Sequence, residues 1–319
     1  MNTITSLAES SLEHELARLR QPLLGYCYRM LGSVLEAEDA VQETMMRAWR
    51  SSARLGDPAG LRPWVYRIAT NVCIDATTDR RRRALPMDLG AAADPGSGMG
   101  AALPESTWVQ PFPSASAGDD PSERAVSRES VRLAFVAALQ YLLPRQRAVL
   151  ILRDVLCWKA AEVAELLDTS VDAVNSTLRR ARATLVQVHP SVVPDAGGPI
   201  DTGLLERFVA AFERFDIDAV VSMLRHDAVI DMPPVSFWLH GREQFRRWLT
   251  ESDGGCRRKR LVPIEANGCP AAAVYREHEE RLRAVGIQVL ECSNGEIVQL
   301  HTFLQPELFR VFGLPDTLD

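Results

Sequence analysis

The chain has 319 residues, with 36 Lys+Arg against 42 Asp+Glu and a net charge of −6. Its length suggests about two domains. Its 46% apolar and 24% charged residues are ordinary for a soluble globular protein, and its charge excludes a uniformly basic nucleic-acid binder. No apolar run approaches the ~18 residues of a membrane helix, and the start, MNTITSLAESSLEHEL, lacks a basic segment followed by an apolar one. A cytoplasmic protein is therefore expected, with no membrane contact. Six scattered cysteines (Cys27, Cys73, Cys157, Cys256, Cys269, Cys292) form no C-x-x-C pair. They read as reduced thiols, so no disulfide frame, metal or cofactor is expected.

Taken in chain order, the average charge dissolves into blocks. Residues 1–85 carry 12 basic and 10 acidic side chains, a net +2. Leu12, Leu16, Leu19, Leu23, Tyr26 and Leu31 fall at helical spacing up to Gly32. Ser33 is placed to cap a second helix whose stripe is Ala37, Ala40, Val41, Met45, Ala48 and Trp49. A third helix has Pro63 near its start, an apolar face of Trp64, Val65, Ile68, Val72 and Ile74, and a terminal run Arg80–Arg83. Residues 86–121 hold no Lys or Arg, five acids, six prolines and five glycines. That stretch cannot be a continuous helix or a central strand.

Residues 122–189 return to +3, with ten basic and seven acidic side chains. SERAVSRESVRLAFVAALQYL reads as helix, and Pro144 starts another, RQRAVLILRDVL. Two short helices follow, WKAAEVAELL and VDAVNSTLRRARATL, joined by Asp168-Thr169-Ser170, with Ala160, Val163, Ala164, Leu167, Val174, Leu178 and Ala181 facing each other. This is a helix-turn-helix pattern whose Arg-rich second helix suits a major groove. Residues 190–319 are −6, with 14 basic and 20 acidic side chains. Leu204–Leu224 reads as one amphipathic helix. AVIDMP, AAAVYREHE and GIQVLECSNGEIVQLHTFL then alternate as strands, the last two runs a hairpin turned at Ser293-Asn294-Gly295.

On EAEDAVQETMMRAW (36–49), RPWVYRIATNVCIDATTDRRRR (62–83) and LPRQRAVLILRDVLCWKAAEVAELLDTSVDAVNSTLRRARATL (143–185), the first and third blocks resemble an extracytoplasmic-function sigma factor of the sigma-70 class. LLERFVAAFERFDIDAVVSMLRHDAVIDMPP, HGREQFRRWL and HTFLQPELFRVFGLP resemble the SnoaL-like domains, an α+β cone related to nuclear transport factor 2. The implied architecture is multi-domain. It comprises a helical sigma region 2 over 10–85, an acidic linker over 86–125, sigma region 4 over 126–189 and an α+β SnoaL-like domain over 200–319. The implied function is non-enzymatic: binding RNA polymerase core and directing promoter-specific initiation, with autoregulation by the last domain. An anti-sigma partner is left open. The alternative is a helix-turn-helix regulator carrying a ligand-binding or enzymatic SnoaL-like domain.

The resemblance assigns residues to each task. Asp39, Gln42, Glu43 and Arg47 share one helical face and are expected to meet polymerase core. Trapping an unpaired −10 element calls for stacking groups and cations, and the candidates are Trp64, Arg67, Asn71, Arg80, Arg81, Arg82 and Arg83. Trp64 is ambiguous, because an apolar helix position is most often core. Arg67, Asn71 and Arg80 are the favoured contacts, and the loop from Arg54 to Leu61 is expected to form part of the base pocket. For the −35 element the candidates are Ser170, Asp172, Ala173, Asn175, Ser176, Arg179, Arg180 and Arg182, since Arg pairs with guanine and Asn with adenine. Late Arg residues suit phosphates instead.

The acidic linker reads either as a disordered spacer or as a strand threading polymerase channels built for nucleic acid. Trp108, Val109 and Phe112 argue for docking, on polymerase or on the last domain, so linker or C-terminal contacts with the sigma domains are expected. In the last domain Asp231, Trp238, His240, Tyr275, Glu277 and His301 are candidates to line an apolar ligand pocket, with no spacing among them diagnostic of catalysis.

Overall fold

Gly32, at a left-handed φ of 71°, ends α1 (Asn2–Leu31), and Ser33 Oγ accepts the Glu36 N–H at 3.2 Å to start α2 (Val34–Arg50). The cap read from the sequence therefore forms. The computed structural model describes residues 2–51, 60–77, 82–114, 130–188, 202–251 and 258–318. Two units emerge: Met1–Arg82 with Ala138–Val193, and Arg83–Ala137 with Pro194–Asp319.

In the first unit α1 and α2 pack with α3 (Leu61–Thr77). Leu23, Tyr26, Cys27, Val34, Ala37, Val41, Ala48, Val65, Tyr66, Ala69 and Cys73 are buried. Two expected stripes are corrected. Trp49 lies one residue past the buried Ala48, about 100° around the helix, and is 43% exposed. On α3 the buried stripe runs through Val65, Tyr66, Ala69, Val72 and Cys73, leaving Trp64 and Ile68 on its flank.

A seven-residue helix, α4 (Leu133–Leu139), carries the chain between the units. In the first unit it is followed by α5 (Pro144–Leu150), α6 (Ala160–Leu166) and α7 (Val171–Val188). The expected long helix after Pro144 loosens into a π turn at Ile151–Val155 and stops at Cys157, which has positive φ. Asp168, left-handed at φ 50°, turns α6 into α7. The buried Arg147 guanidinium donates to the carbonyl oxygens of Met30, Gln140 and Leu142 and to Gln140 Oε1. It thereby ties the end of α1 to the turn before α5.

The second unit is a sheet of order β2-β1-β6-β5-β4-β3, with β7 on β5. Its strands are β1 (Leu224–Asp231), β2 (Trp238–His240), β3 (Lys259–Ala266), β4 (Cys269–His278), β5 (Arg281–Ser293), β6 (Glu296–Phe303) and β7 (Thr317–Leu318). The single helix expected over Leu204–Leu224 is two, α8 (Thr202–Glu213) and α9 (Ile217–Ser222). Phe215 turns left-handed, and Asp216 Oδ1 caps α9 through the Ala219 N–H at 3.0 Å. With α10 (Arg242–Glu251) these helices bury Phe208, Phe212, Phe245 and Trp248 against Ile230, Leu239, Leu290 and Leu300 on one sheet face. Alternation sends Asp231, Val289, Glu291 and His301 to the other face.

Residues 83–114 run along this unit rather than forming a loose spacer. The Ala93 N–H donates to Trp238 O, Trp238 Nε1 to Gly90 O, and the Leu103 N–H to Pro234 O. Trp108, Val109, Gln110 and Phe112 are buried. The β3–β4 turn is Asn267-Gly268, both residues at positive φ as a two-residue type I′ hairpin requires. Asn267 Oδ1 accepts the Phe112 N–H at 2.8 Å, and Asn267 Nδ2 donates to Val131 O.

Candidate functional site

α2 presents its polar face as the spacing predicts. Asp39, Gln42 and Arg47 are exposed and Glu43 half-buried, with Arg47 Nε donating to Glu43 Oε1 at 2.6 Å. Met46, at 39% exposure, and Trp49 open beside this face into a groove of about 420 Å³. Leu16, Ala17 and Met45 also line it.

A second groove, about 310 Å³, lies where the end of α2 meets α3, and is lined by Arg47, Arg50, Ser51, Trp64, Ile68 and Asn71. Trp64 and Asn71, both picked from the sequence, share this groove. Arg50 was missed, although it stands three residues after Arg47 on the same face. The other −10 candidates go elsewhere. Arg67 Nη2 donates to Glu165 O of α6 at 2.7 Å, and beside it the Trp158 ring lies 5.1 Å from that of Tyr66. Arg80, Arg81 and residues 54–59 of the Arg54–Leu61 loop lie outside the described residues. The Arg82 guanidinium sits 3.4 Å from the Tyr141 ring centre. Arg83 is buried and donates to the Glu105 and Trp108 carbonyls at 2.9 and 2.7 Å. As a DNA contact Arg83 is corrected: its cation is spent inside the second unit.

On α7, Asp172, Asn175, Arg179, Arg180 and Arg182 are exposed, and Ala173 and Ser176 half-buried. Val174, Leu178 and Ala181 form the buried stripe that the pattern called for. Ser170 Oγ accepts the Ala173 N–H at 3.1 Å, so it works as the helix cap. Arg182 is held bidentately by Asp154 at 2.9 and 2.7 Å, and Arg180 Nη2 donates to Thr177 Oγ1 at 3.2 Å. Asn175 and Arg179, four apart on one face, remain directed at solvent.

Of the ligand-pocket candidates, Asp231 and His301 meet. His301 Nδ1 and Asp231 Oδ2 are 2.6 Å apart with both side chains 0% exposed, and His301 Nε2 lies 3.8 Å from Glu291 Oε1. Burial works against a charged imidazole here, but the Asp231 and Glu291 carboxylates prevail and hold its pKa at about 10. Trp238 is bonded to the linker, the Tyr275 hydroxyl donates to Pro315 O at 2.9 Å, His240 is exposed, and Glu277 pairs with Arg258 at 3.7 Å. Glu291 escaped the sequence reading, though it lies two residues from Val289, the cross-strand partner of His301.

Family models match in the order these folds occur: Sigma-70 region 2 at residues 16–83, Sigma-70 region 4 at 132–185 and a SnoaL-like domain at 205–300. The ECF RNA polymerase sigma factor SigG of Mycobacterium tuberculosis is 44% identical over 313 residues, covering 94% of this chain and 82% of SigG. The chain belongs to the ECF RNA polymerase sigma factors. Another family member, SigJ of the same species, is 30% identical, with 92% of each chain covered. The crystal structure of SigJ matches this sigma factor at a TM-score of 0.60 and 23% identity over 95% of this chain and all of that one, which establishes the shared fold. Among the described residues no helix of this sigma factor is long and apolar enough to cross a membrane, and no His/Cys/Asp/Glu group could hold a metal ion.

Proposed function

We propose that this sigma factor grips polymerase core through Asp39, Gln42, Glu43 and Arg47 with the adjoining Met46–Trp49 groove, and captures −10 bases in the groove of Trp64 and Asn71. It reads the −35 duplex through Asn175 and Arg179, and its α+β domain regulates these steps. The observation that carries the reading is the second groove. A half-buried indole, an amide and two guanidinium groups, Arg47 and Arg50, converge there, and stacking with backbone-directed cations is how unpaired bases are held.

Arg67 and Glu165 touch at 2.7 Å, whereas elements 25 base pairs apart are separated by roughly 85 Å of duplex. The helical unit therefore has to open before both elements can be read together, and release of Arg67 is part of that opening. The α+β domain acts as a regulator rather than a catalyst, because Asp231 and His301 are locked on each other, out of a substrate's reach.

Run-off transcription with core polymerase tests the reading. Trp64→Ala and Asn71→Ala are expected to abolish initiation on duplex promoters, to recover on templates with a pre-melted −10 element, and to leave core binding intact. Equal initiation by both variants and the parent removes the groove from the mechanism. Equal activity of the full chain and a 1–199 truncation at every promoter removes regulation by the α+β domain.

A further inference from the structure

The linker is held at both ends by the same domain. At its start, Arg83 is bonded to Glu105 O and Trp108 O, and the Ala84 N–H donates to Thr107 O at 2.8 Å. Those residues continue into the segment seated on the Asn267-Gly268 turn, where the Asn267 N–H also donates to Phe112 O and the Gly268 N–H to Ser114 Oγ, each at 2.8 Å. At its end, Asn267 Nδ2 reaches Val131 O, and buried Glu291 accepts the Ala134 N–H beside Arg132. One side chain, Asn267, thus joins Phe112 to Val131 across the intervening stretch of linker.

The consequence is a change in reach. Between Thr77 and Leu133, 55 residues (78–132) separate the last helix of region 2 from α4. Unpinned, such a chain has a root-mean-square span of roughly 40 Å and a limit near roughly 190 Å. Pinned from Arg83, only the five residues 78–82 remain between α3 and the first anchor, a reach of at most roughly 20 Å. The second anchor sits on the first turn of α4 itself.

We propose that the α+β domain is a spacer ruler. By holding Arg83 at one end of the linker and Val131–Ala134 at the other, it limits how far apart the two promoter-reading regions can stand, and so which −10/−35 spacings the protein accepts. Asn267 is the positioning residue. The ruler rests on the promoter-reading role proposed above and deepens it, since it gives the α+β domain a specific task during initiation.

The test is run-off transcription by full-length protein and core polymerase from a template library, with both promoter elements randomised and the spacer varied in length. Asn267→Gly removes both side-chain bonds while tolerating the left-handed backbone (φ 53°). Asn294→Gly is the matched control, because Asn294-Gly295 makes the same kind of turn between β5 and β6 and is exposed. Parent and Asn294→Gly are expected to enrich a narrow set of spacer lengths, and Asn267→Gly a set at least twice as broad. An unchanged distribution with Asn267→Gly, or a uniform rise or fall of activity at all lengths, overturns the ruler alone. Initiation from no library member by the parent overturns the promoter-reading role beneath it. Should Asn267→Gly fail to fold, Ser114→Ala removes the acceptor of the Gly268 N–H at the same anchor without burying a charge. It is then expected to broaden the set, and an unchanged distribution overturns the ruler.

Discussion

The helical unit and the α+β unit use the same residue types for opposite purposes. On α2 and α7 the Asp, Glu, Asn and Arg side chains stand on exposed faces, joined by surface pairs such as Arg47–Glu43 and Arg182–Asp154. In the α+β unit Asp231, Glu291, His301 and Asn267 are buried and paired with one another by charge or hydrogen bond, or with backbone groups. A polar residue in water is available to a partner. A charge out of water needs an opposite charge beside it, because an unmet buried charge costs several kcal/mol. Burial, rather than chemistry, separates recognition from scaffolding in this protein.

The largest expected effect tests the scaffold side. His301→Leu leaves two carboxylates buried without their cation, and is expected to lower stability by about 3–5 kcal/mol in urea unfolding of the full chain. A loss below about 1 kcal/mol would put those groups in contact with solvent and erase the contrast.

A pH dependence follows from the same cluster, whose charged and titratable neighbours are Asp231, Glu291, Arg132 and Cys269. His301 titrates at about 10 in the folded chain against 6.5 for the free side chain. Its contribution is thus complete below pH 6.5 and lost as pH rises toward 10. Burial opposes ionisation of Glu291, yet the His301 partner holds its pKa below the usual 4.5, so its contribution is lost as pH falls below that value. Melting temperature is expected to decline across pH 6.5–10 in the parent and to decline less in His301→Leu. Parallel profiles would remove His301 from the balance.

On the recognition side, Arg179→Ala and Asn175→Ala are each expected to cost about 1–3 kcal/mol of discrimination at a single base pair in promoter-binding assays, with stability unchanged. A uniform loss across all sequences would reassign that residue to phosphate. The smallest effect is expected for Asp154→Asn, whose pair with Arg182 is 30% and 60% exposed. Stability should move by less than about 1 kcal/mol. A loss above about 2 kcal/mol would show this exposed pair acting as scaffold, as buried Arg147 already does in the helical unit.

Local signals carried the helical unit. The Ser33 cap, the Asp168 turn and the stripe of Val174, Leu178 and Ala181 on α7 all follow from spacing within a few residues. So does the exposed face of Asp39, Gln42 and Arg47. In the α+β unit the alternation of β1, β5 and β6 was legible, but not which polar side chains would meet behind the sheet. Asp231 and His301, read from the sequence as candidates for an apolar pocket, are 0% exposed and paired with each other. Their partner Glu291, and the clip at Asn267, join residues far apart in sequence: Asn267 stands 155 positions from Phe112.

By itself, the sequence determined the order of the helical and α+β parts, the segmental charge and the exposed polar face of α7. Those depend on periodicity and on residues close along the chain. Only tertiary structure decided that Arg83 serves the linker rather than DNA, that Arg67 is held by α6, and that the acidic segment lies along the sheet domain. Each of these depends on which surfaces exclude water together, and burial is a property of the assembled fold that no window of sequence contains.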